Sequence, residues 1–289
     1  MKRREFLTRT LVGAGTVGVA SKALAWLPQV TSDIKFSATD MVVLGKTAIR
    51  TSRLACGTGT QGGNRESHQT RLGIQGLADL LRHGYDHGLC FWDCADSYGS
   101  HPHVGSALKR VPREKVTVLT KSWARDPVLM RADLDRFRRE LGTDYIDLLL
   151  MHCLTEDDWP EKYKGTMDAI SEAQAKGIVR AHGVSCHTFG ALTAAAKSPW
   201  VQVILARINP AGAHMDASPD RVVTVLQEMR AAGKGIIGMK ILGQGELRNR
   251  SDEALNYALS LGVLDAFTIG AENQAEQDDL TRRIAVVRV

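Results

Sequence analysis

Four polar side chains stand at or just beyond the ends of short apolar runs, where they could together perform one reaction. Asp93 comes at the end of LCFWDC, Lys121 ends VTVLTK and His152 ends YIDLLLMH. Tyr98 follows Asp93 by five residues. The reaction would be transfer of a proton from the phenol of Tyr98 to a carbonyl oxygen while hydride arrives at the carbonyl carbon.

The four residue types suit four different tasks in this reaction. A phenol is a slow acid at neutral pH because its pKa lies near 10. The ammonium of Lys121 is expected to lower that pKa by stabilising the phenolate. The carboxylate of Asp93 would keep the ammonium charged and oriented, and an N–H of His152 would hydrogen-bond the developing oxyanion.

Taken one at a time, the same four residues have ordinary structural explanations. Asp93 could cap the next helix, and Lys121 could be a solvated strand end. Tyr98 could pack within a loop, and His152 could be a satisfied core histidine. Their arrangement at adjacent strand ends favours the catalytic interpretation. The choice between the structural and the catalytic explanations therefore depends on the elements that position the four residues.

Short apolar runs alternate with amphipathic stretches after about residue 40. Two stretches have apolar residues at the spacing of one helix face. The first has Met130, Leu134, Phe137 and Leu141, and the second has Val222, Val225, Leu226 and Met229. A glycine follows four such stretches at the position of a helix C-cap: Gly142, Gly177, Gly233 and Gly262. The eight runs that read as buried strands are 54–58, 89–94, 116–121, 145–152, 179–185, 201–208, 235–241 and 266–270.

Eight strands, each followed by a helix, predict an α/β fold of the (β/α)8 or TIM-barrel type rather than a doubly wound sheet. Residues 41–53 (MVVLGKTAIRTSR) are expected to form a β-hairpin that plugs the N-terminal end of the barrel. No linker or change of composition divides residues 41–289, so this segment is predicted to be one barrel domain, preceded by a linker over 26–40.

The first twenty-five residues have the pattern of an export signal. Arg3 and Arg4 precede Phe6 and Leu7, a Gly-rich apolar stretch follows, and the segment ends in Ala23-Leu24-Ala25. Paired arginines before Phe-Leu resemble a twin-arginine (Tat) signal, which predicts export by the Tat machinery to the periplasm. A disordered basic tail is the alternative. The same segment holds five of the basic residues and one acidic residue.

Charge and apolar length exclude several classes of protein. The formal net charge of the chain is +5, but without residues 1–25 it is 32 − 31 = +1. A nearly neutral body gives no support to nucleic-acid binding. No apolar run approaches the roughly 20 residues of a spanning helix, so no permanent membrane span is expected. The five cysteines include no CxxC pair, so no structural metal site is expected.

One glycine motif resembles a dinucleotide-binding fingerprint. Gly57, Gly59 and Gly62 fit G-x-G-x-x-G, and Asp79 follows at about the distance of the acidic residue. That fingerprint requires a helix to open at the glycines, whereas the polar stretch 60–70 follows here. We therefore do not assign a Rossmann site to these residues.

Within this predicted barrel, the sequence resembles the aldo-keto reductase family over about residues 41–285. The segments that carry the resemblance are FWDCADSYGS (91–100), TVLTKSW (117–123), ELGTDYIDLLLMH (140–152) and GIVRAHGVS (177–185), with weaker matches at LGKT (44–47) and IGAENQAEQ (269–277). The resemblance implies a (β/α)8 enzyme that reduces carbonyl compounds with NADH or NADPH and without a metal. It implies Tyr98 as general acid, Lys121 and Asp93 as the groups that tune it, and His152 as the residue that orients the substrate.

The resemblance also implies which residues hold the cofactor. Ser185 and Gln202 are expected to bind the nicotinamide carboxamide, although Cys186 stands where the family usually has a second contact, an asparagine. Met239 stands where the family has a stacking aromatic residue, and its thioether can cover the ring. Residues predicted to approach the pyrophosphate are Lys240, Gly243 and Gly245.

Cofactor choice is expected to depend on the exit of the last strand. Family members that prefer NADPH tend to carry Lys or Arg there, whereas this chain has Glu272, Asn273 and Gln277. A carboxylate would repel a 2′-phosphate, so we expect NADH to be preferred or tolerated. Trp123, two residues after Lys121, is predicted to line the pocket of a small carbonyl substrate.

Two other classes of function stay open at this point. A barrel of the same fold could bind cofactor in a binding or regulatory role with weak catalysis, which the departures at Cys186 and Met239 favour. A metal-dependent barrel hydrolase is the third class. The sequence carries no motif that identifies the carbonyl substrate or an oligomeric state.

Overall fold

Residues 35–287 of a computed structural model are described here, and the export signal predicted over 1–25 lies outside them. Eight parallel strands close into a barrel in chain order, with the last strand pairing to the first. They are β3 (Leu54–Gly57), β4 (Phe91–Asp93), β5 (Thr117–Ser122), β6 (Ile146–Leu154), β7 (Val179–Cys186), β8 (Val203–Arg207), β9 (Gly235–Met239) and β10 (Ala266–Ile269). The predicted (β/α)8 barrel is confirmed.

Helices surround the barrel between successive strands and after the last. They are α1 (Gly73–Asp86), α2 (His101–Leu108), α3 (Pro127–Leu141), α4 (Trp159–Lys162), α5 (Lys164–Ala175), α6 (Phe189–Lys197), α7 (Pro219–Ala231), α8 (Ser251–Ser260) and α9 (Gln274–Val286). The apolar faces predicted for α3 and α7 are buried. The four glycines predicted to end helices all have left-handed backbone, with φ between +64° and +85°. No helix among residues 35–287 is both long and apolar enough to cross a bilayer.

Alternate residues of each strand fill the inside of the barrel. Phe91, Leu119, Leu150, Leu205 and Ile237 belong to one buried interior cluster. Because side chains on a strand repeat their direction every two residues, the residue two positions later points to the same interior, one layer nearer the C-terminal end. That layer is polar or sulfur-containing, and in the same order it consists of Asp93, Lys121, His152, Arg207 and Met239.

The N-terminal hairpin closes the other end of the barrel. β1 (Met41–Val43) pairs antiparallel with β2 (Arg50–Ser52), and Met41 lies opposite Ser52. Leu44 and Ile49, at the turn, are buried in the interior cluster. The hairpin and its plugging position are thus as predicted, and the open end of the barrel is the one that carries the polar layer.

Candidate active site

The deepest polar contact of the polar layer joins β4 to β5. The ammonium of Lys121 donates to a carboxylate oxygen of Asp93 and, at 2.9 Å, to the carbonyl oxygen of Cys94. Lys121 is fully buried and Asp93 is 6% exposed. Burial alone would lower the pKa of Lys121, but the charges of Asp93 and Tyr98 outweigh burial and raise the pKa above its ordinary value. The lysine therefore stays charged, as its predicted task requires.

Tyr98 lies on a short 3-10 turn, Asp96–Tyr98, that ends at the left-handed Gly99 (φ +64°). Its ring is 4.8 Å, centroid to Nζ, from Lys121. Two glycines of the preceding loop make room for the ring. A methyl group at Gly59 would lie 2.3 Å from Cε2 of Tyr98, and one at Gly62 would lie 2.5 Å from its Cδ1. Two glycines of the G-x-G-x-x-G motif thus leave space for the ring of Tyr98. No helix begins at this motif, as a dinucleotide-binding fingerprint would require.

Burial decides the acidity of the phenol. It raises the pKa of Tyr98 above its ordinary value, and the positive charge of Lys121 lowers the pKa only part of the way back. The expectation that the lysine makes this phenol more acidic than usual is therefore wrong in its net direction. The reason is that desolvation of a buried phenolate costs more than one ammonium, itself paired to Asp93, returns. Tyr98 is protonated at neutral pH and is ready to donate.

His152 faces Tyr98 across the top of the barrel. The two rings meet edge to face with centroids 5.7 Å apart. Burial, followed by the charge of Lys121, holds the pKa of His152 well below its ordinary value, so the imidazole is neutral and carries one N–H. Its Nδ1 lies 3.4 Å from the hydroxyl of Ser97, and its Nε2 has no hydrogen-bond partner within residues 35–287. A neutral N–H donor suits the predicted task of orienting a carbonyl oxygen.

These residues open onto a cleft of about 410 Å³. Of the predicted site, Tyr98, Trp123, His152, Met239 and Lys240 line it, while Asp93 and Lys121 lie beneath its floor. Trp123 is 51% exposed, and its ring is 5.3 Å, centroid to centroid, from that of His152. The predicted catalytic residues and the predicted substrate-pocket tryptophan are thus brought together.

One wall of the cleft has the donors that a dinucleotide needs. Lys240 is partly buried, has left-handed backbone (φ +56°), and makes no ion pair within residues 35–287. Gly243, Gln244 and Gly245 follow it in a turn whose three residues all have positive φ. A methyl group at Gly245 would meet nothing within 4 Å. An unpaired cation beside an open glycine turn fits a pyrophosphate, and Met239 next to it can cover a nicotinamide ring.

Two predicted cofactor contacts are buried in the wall instead of lining the cleft. The hydroxyl of Ser185 accepts a hydrogen bond of 2.9 Å from the backbone N–H of Cys153 and is fully buried. Cys186 is 1% exposed. Neither side chain reaches the open surface of the cleft in this conformation. The contacts of Ser185 and Cys186 with the nicotinamide carboxamide therefore stay predictions.

The prediction that Gln202 holds the carboxamide is wrong. Gln202 precedes β8 at the N-terminal end of the barrel, on the far side from the cleft. Its side-chain oxygen accepts from the backbone N–H of His182 at 3.1 Å and from the amide of Gln174 at 3.1 Å. Gln202 lies five positions before Arg207 of the polar layer, a distance of about 16 Å at strand rise.

Gln277 likewise does not line the cleft. It is 5% exposed on the inner face of α9, where its amide lies 3.4 Å from the sulfur of Cys56 and against Gly84 of α1. Its contact with the cofactor stays a prediction, because helix packing and not the cleft surrounds the side chain in this structure.

The remaining residues at the exit of β10 are exposed. Glu272 forms an ion pair of 2.7 Å with His68, which joins the loop after β10 to the loop after β3. Asn273 caps α9 by accepting from the backbone N–H of Glu276 at 2.9 Å. Glu272 is thus exposed at the exit of β10 and already partnered by a histidine, and its contact with the cofactor stays a prediction.

The structure adds three functional candidates that the sequence analysis did not place here. Cys153 (φ +55°) and His187 line the cleft, with Sγ and Nε2 3.1 Å apart. Burial raises the pKa of the Cys153 thiol to about 11 and holds that of His187 at about 4, so the pair is neutral. Arg207 sits in the polar layer, paired to the buried Asp216. Its position two residues after an interior leucine was the available signal.

A cluster of three possible metal ligands lies within residues 35–287, outside the cleft. Asp96, His101 and Glu140 have ligand atoms within 4.8 Å of one another. Arg136 and Arg65 already bind the two carboxylates, and Nδ1 of His101 donates to Glu140 at 2.8 Å. This cluster is an ion-pair network that ties α2 to α3 behind the site.

Known proteins resemble this chain in sequence and in fold. The model of the Aldo/keto reductase family matches residues 53–263. An NAD/NADP-dependent indole-3-acetaldehyde reductase from Schizosaccharomyces pombe is 34% identical over 116 residues, which is 38% of this chain and 39% of that protein. An NADH-specific methylglyoxal reductase from Escherichia coli is 28% identical over 167 residues, half of this chain and 51% of that protein.

The alignments with these curated relatives are partial. The chain spans about a third to a half of the length of the curated relatives it matches. Among solved structures, an aldo-keto reductase from Pseudomonas aeruginosa superimposes with a TM-score of 0.72 at 22% identity, covering 90% of this chain and 98% of that one. At that identity the likeness establishes the fold.

Proposed function

The chain belongs to the aldo/keto reductase family, whose members use NAD(P)H, and from this premise we propose that it reduces a small aldehyde or ketone to the alcohol. One observation carries the proposal. A charged, fully buried lysine lies between the Asp93 carboxylate and the ring of Tyr98, beneath a cleft that no acidic side chain lines. Such a lysine has no evident packing role that would offset the cost of burying its charge.

The cofactor, when bound, supplies the hydride that reaches the carbonyl carbon. The chain's own residues bind the carbonyl oxygen and protonate it. A neutral His152 donates its N–H to the carbonyl oxygen and so holds it next to the hydroxyl of Tyr98. Trp123 covers the outer side of the cleft. Lys240 and the turn 243–245 would hold the phosphates, and Met239 would cover the ring.

Proton transfer follows from the protonation states. As negative charge builds on the carbonyl oxygen, the O–H bond of Tyr98 breaks and a new O–H bond forms on the substrate. An alkoxide is a stronger base than a phenolate, so the transfer is downhill even though burial raises the pKa of Tyr98. The phenolate left behind is stabilised by Lys121, and Asp93 keeps Lys121 in place.

Removing the phenol hydroxyl tests the proposal. Tyr98→Phe should lower kcat for aldehyde reduction by roughly 10²–10⁴-fold, the usual contribution of a general acid. The dissociation constant for NADH, measured by quenching of protein fluorescence, should change less than twofold because the ring stays in place. Unchanged turnover in this variant would remove Tyr98 from its assigned task.

The same measurement separates the competing class of function. A barrel with a binding or regulatory role would bind NADH or NADPH tightly, yet show no oxidation of the cofactor with any aldehyde in a panel. Activity that survives exhaustive chelation would exclude a metal-dependent hydrolase. Turnover in the wild-type protein, lost in Tyr98→Phe, supports the reductase over both.

Export by the Tat machinery to the periplasm is also proposed, from the pattern of residues 1–25 and in particular Arg3-Arg4. A folded enzyme with bound cofactor is the kind of cargo that this route suits. Cell fractionation of the full chain and of the Arg3→Lys/Arg4→Lys variant is the test. Equal distribution of the two proteins would overturn the proposal.

A further inference from the structure

A second cavity, of about 650 Å³, lies at the end of the barrel opposite the cleft. Four basic residues line it: Lys46, Arg180, Lys197 and Lys234. No acidic side chain is among its lining residues. The four basic residues come from the hairpin turn, the start of β7, the end of α6 and the residue before β9, so distant parts of the chain meet there. We propose that this cavity is a binding site for a small multivalent anion that carries two or more neighbouring phosphates.

The three lysines of this cavity have no carboxylate partner within residues 35–287. Lys46 donates to the carbonyl oxygen of Ala232, and Lys234 donates to the carbonyl oxygens of Ala195 and Ser198. Carbonyls satisfy hydrogen bonds but leave the ammonium charge in place. Lys197 makes no ion pair within residues 35–287.

Arg180 is the one lining cation with a carboxylate partner. It donates to Asp147 at 2.9 Å. That carboxylate also pairs with Arg113 and accepts from the backbone N–H of Val118. One carboxylate shared by two guanidinium groups cannot cancel both charges, so Arg180 also adds to the positive potential of the cavity.

Lys46 is held in place before any ligand arrives. The backbone N–H of Lys46 donates to the carbonyl oxygen of Gly233 at 2.8 Å, and the side chain of Lys46 runs across Gly233, where a methyl group would lie 2.3 Å from its Cε. Gly45 is fixed by Asp265, whose carboxylate accepts from the backbone N–H groups of Gly45 and Ile236. A pre-organised group loses less entropy when it binds a ligand.

Local charge sets this cavity apart from the rest of the chain. Outside residues 1–25 the basic and acidic residues differ by one. Four basic residues and no acidic ones around one concave surface therefore depart from the average composition. A concave site of this volume suits a compact anion such as a polyphosphate or the phosphates of a nucleotide. The amides of Gln174 and Gln202, in its wall, already hydrogen-bond to each other and to the backbone, so the four basic side chains carry the recognition.

Calorimetric titration of the full chain with sodium pyrophosphate tests the site. Because the cleft also offers a phosphate site at Lys240, the titration is run with and without saturating NADH. We expect pyrophosphate to bind in both cases. The double variant Lys46→Gln/Lys197→Gln should weaken binding by about tenfold, since exposed ion pairs contribute up to about fivefold each. Raising the salt concentration should weaken binding further.

Two single variants serve as controls. Lys109→Gln removes one surface charge at the end of α2, outside the cavity, and Lys240→Gln removes the cation of the cleft. Neither should change pyrophosphate affinity in the presence of NADH. Loss of binding in Lys240→Gln, or complete competition by NADH, would place the anion in the cleft and overturn the proposal. Absence of binding at millimolar pyrophosphate would also overturn it.

A parallel titration with ATP and tripolyphosphate identifies the source of the phosphates. Tighter binding of ATP than of tripolyphosphate, lost in the cavity double variant, indicates a nucleotide ligand. Equal binding of the two indicates free polyphosphate. Either result, with the controls unchanged, supports the site. Aldehyde reduction by the double variant should match the wild type, because the cavity and the cleft lie at opposite ends of the barrel.

Discussion

Substituting Lys121 by methionine removes the buried charge on which the proposed mechanism depends. The Lys121 ammonium lies 4.8 Å from the centroid of the Tyr98 ring. Two unit charges at that separation attract by about 3.5 kcal/mol at an effective dielectric constant of about 20. A transition state with between half and all of a negative charge on the phenol would lose about 1.7 to 3.5 kcal/mol. We therefore expect Lys121→Met to lower kcat by roughly 20- to 400-fold.

The assay is the disappearance of NADH absorbance with a saturating aldehyde, at several pH values. NADH affinity should be nearly unchanged, because Lys121 lies beneath the cleft floor. Lys121→Met leaves Asp93 buried without its partner, which costs about 3–5 kcal/mol of stability. The double variant Asp93→Asn/Lys121→Met removes that burden and should regain stability without regaining kcat. The reasoning is refuted if the double variant folds stably and turns over within threefold of the wild type.

Three further outcomes follow from the geometry. Gly59→Ala should lower kcat by about a hundredfold, because its methyl group would lie 2.3 Å from the Tyr98 ring and a 1 Å misplacement of a catalytic group can cost that much. Gly63→Ala is the control, because its methyl group meets nothing within 4 Å, and it should leave kcat unchanged in the same assay. Glu272 should favour NADH, so the ratio of the dissociation constants for NADPH and NADH should exceed one and fall in Glu272→Arg; a wild-type ratio well below one would contradict this. Burial holds the pKa of His182 at about 4, below the roughly 6.5 of the unfolded chain. The unfolded state therefore binds more protons as pH falls from 6.5 to 4, and the free energy of unfolding should drop by up to about 3 kcal/mol. Urea midpoints for the wild type and His182→Leu measure this, and equal pH dependence of the two would show that the imidazole is not responsible.

The barrel and its polar layer could be predicted because they depend on short-range periodicity. Apolar runs and C-cap glycines mark strands and helix ends within a few residues. Alternation on a strand then places Asp93, Lys121 and His152 at the same end of the barrel. Arg207 obeys the same rule, two residues after an interior leucine, and could have been found by applying it to every strand.

The position of Gln277 could have been predicted from helical periodicity, which the family resemblance did not take into account. Gln277, Leu280 and Ile284 share helical spacing and form the buried face of α9. Periodicity places all three against the barrel. Gln202 is a similar case, because the predicted strand 201–208 already has it as the second residue, at the N-terminal end of the barrel, and β8 begins at the next residue.

The surroundings of Tyr98 depend on groups that are distant along the chain. Its net pKa follows from how deeply the loop 59–62 and the turn 96–98 bury the ring, which no local pattern encodes. The basic cavity joins residues as far apart as Lys46 and Lys234, and its charge is visible only once the hairpin has closed the barrel.

Sequence alone therefore determined the barrel and the strand ends, and it supplied the proposal that Tyr98 is the proton donor. The tertiary structure decided the protonation of Tyr98, the packing of its ring against Gly59 and Gly62, and the second cavity. The physical reason is that spacing along a strand or helix fixes the direction of a side chain, whereas desolvation and charge depend on every group that packing brings within a few ångströms.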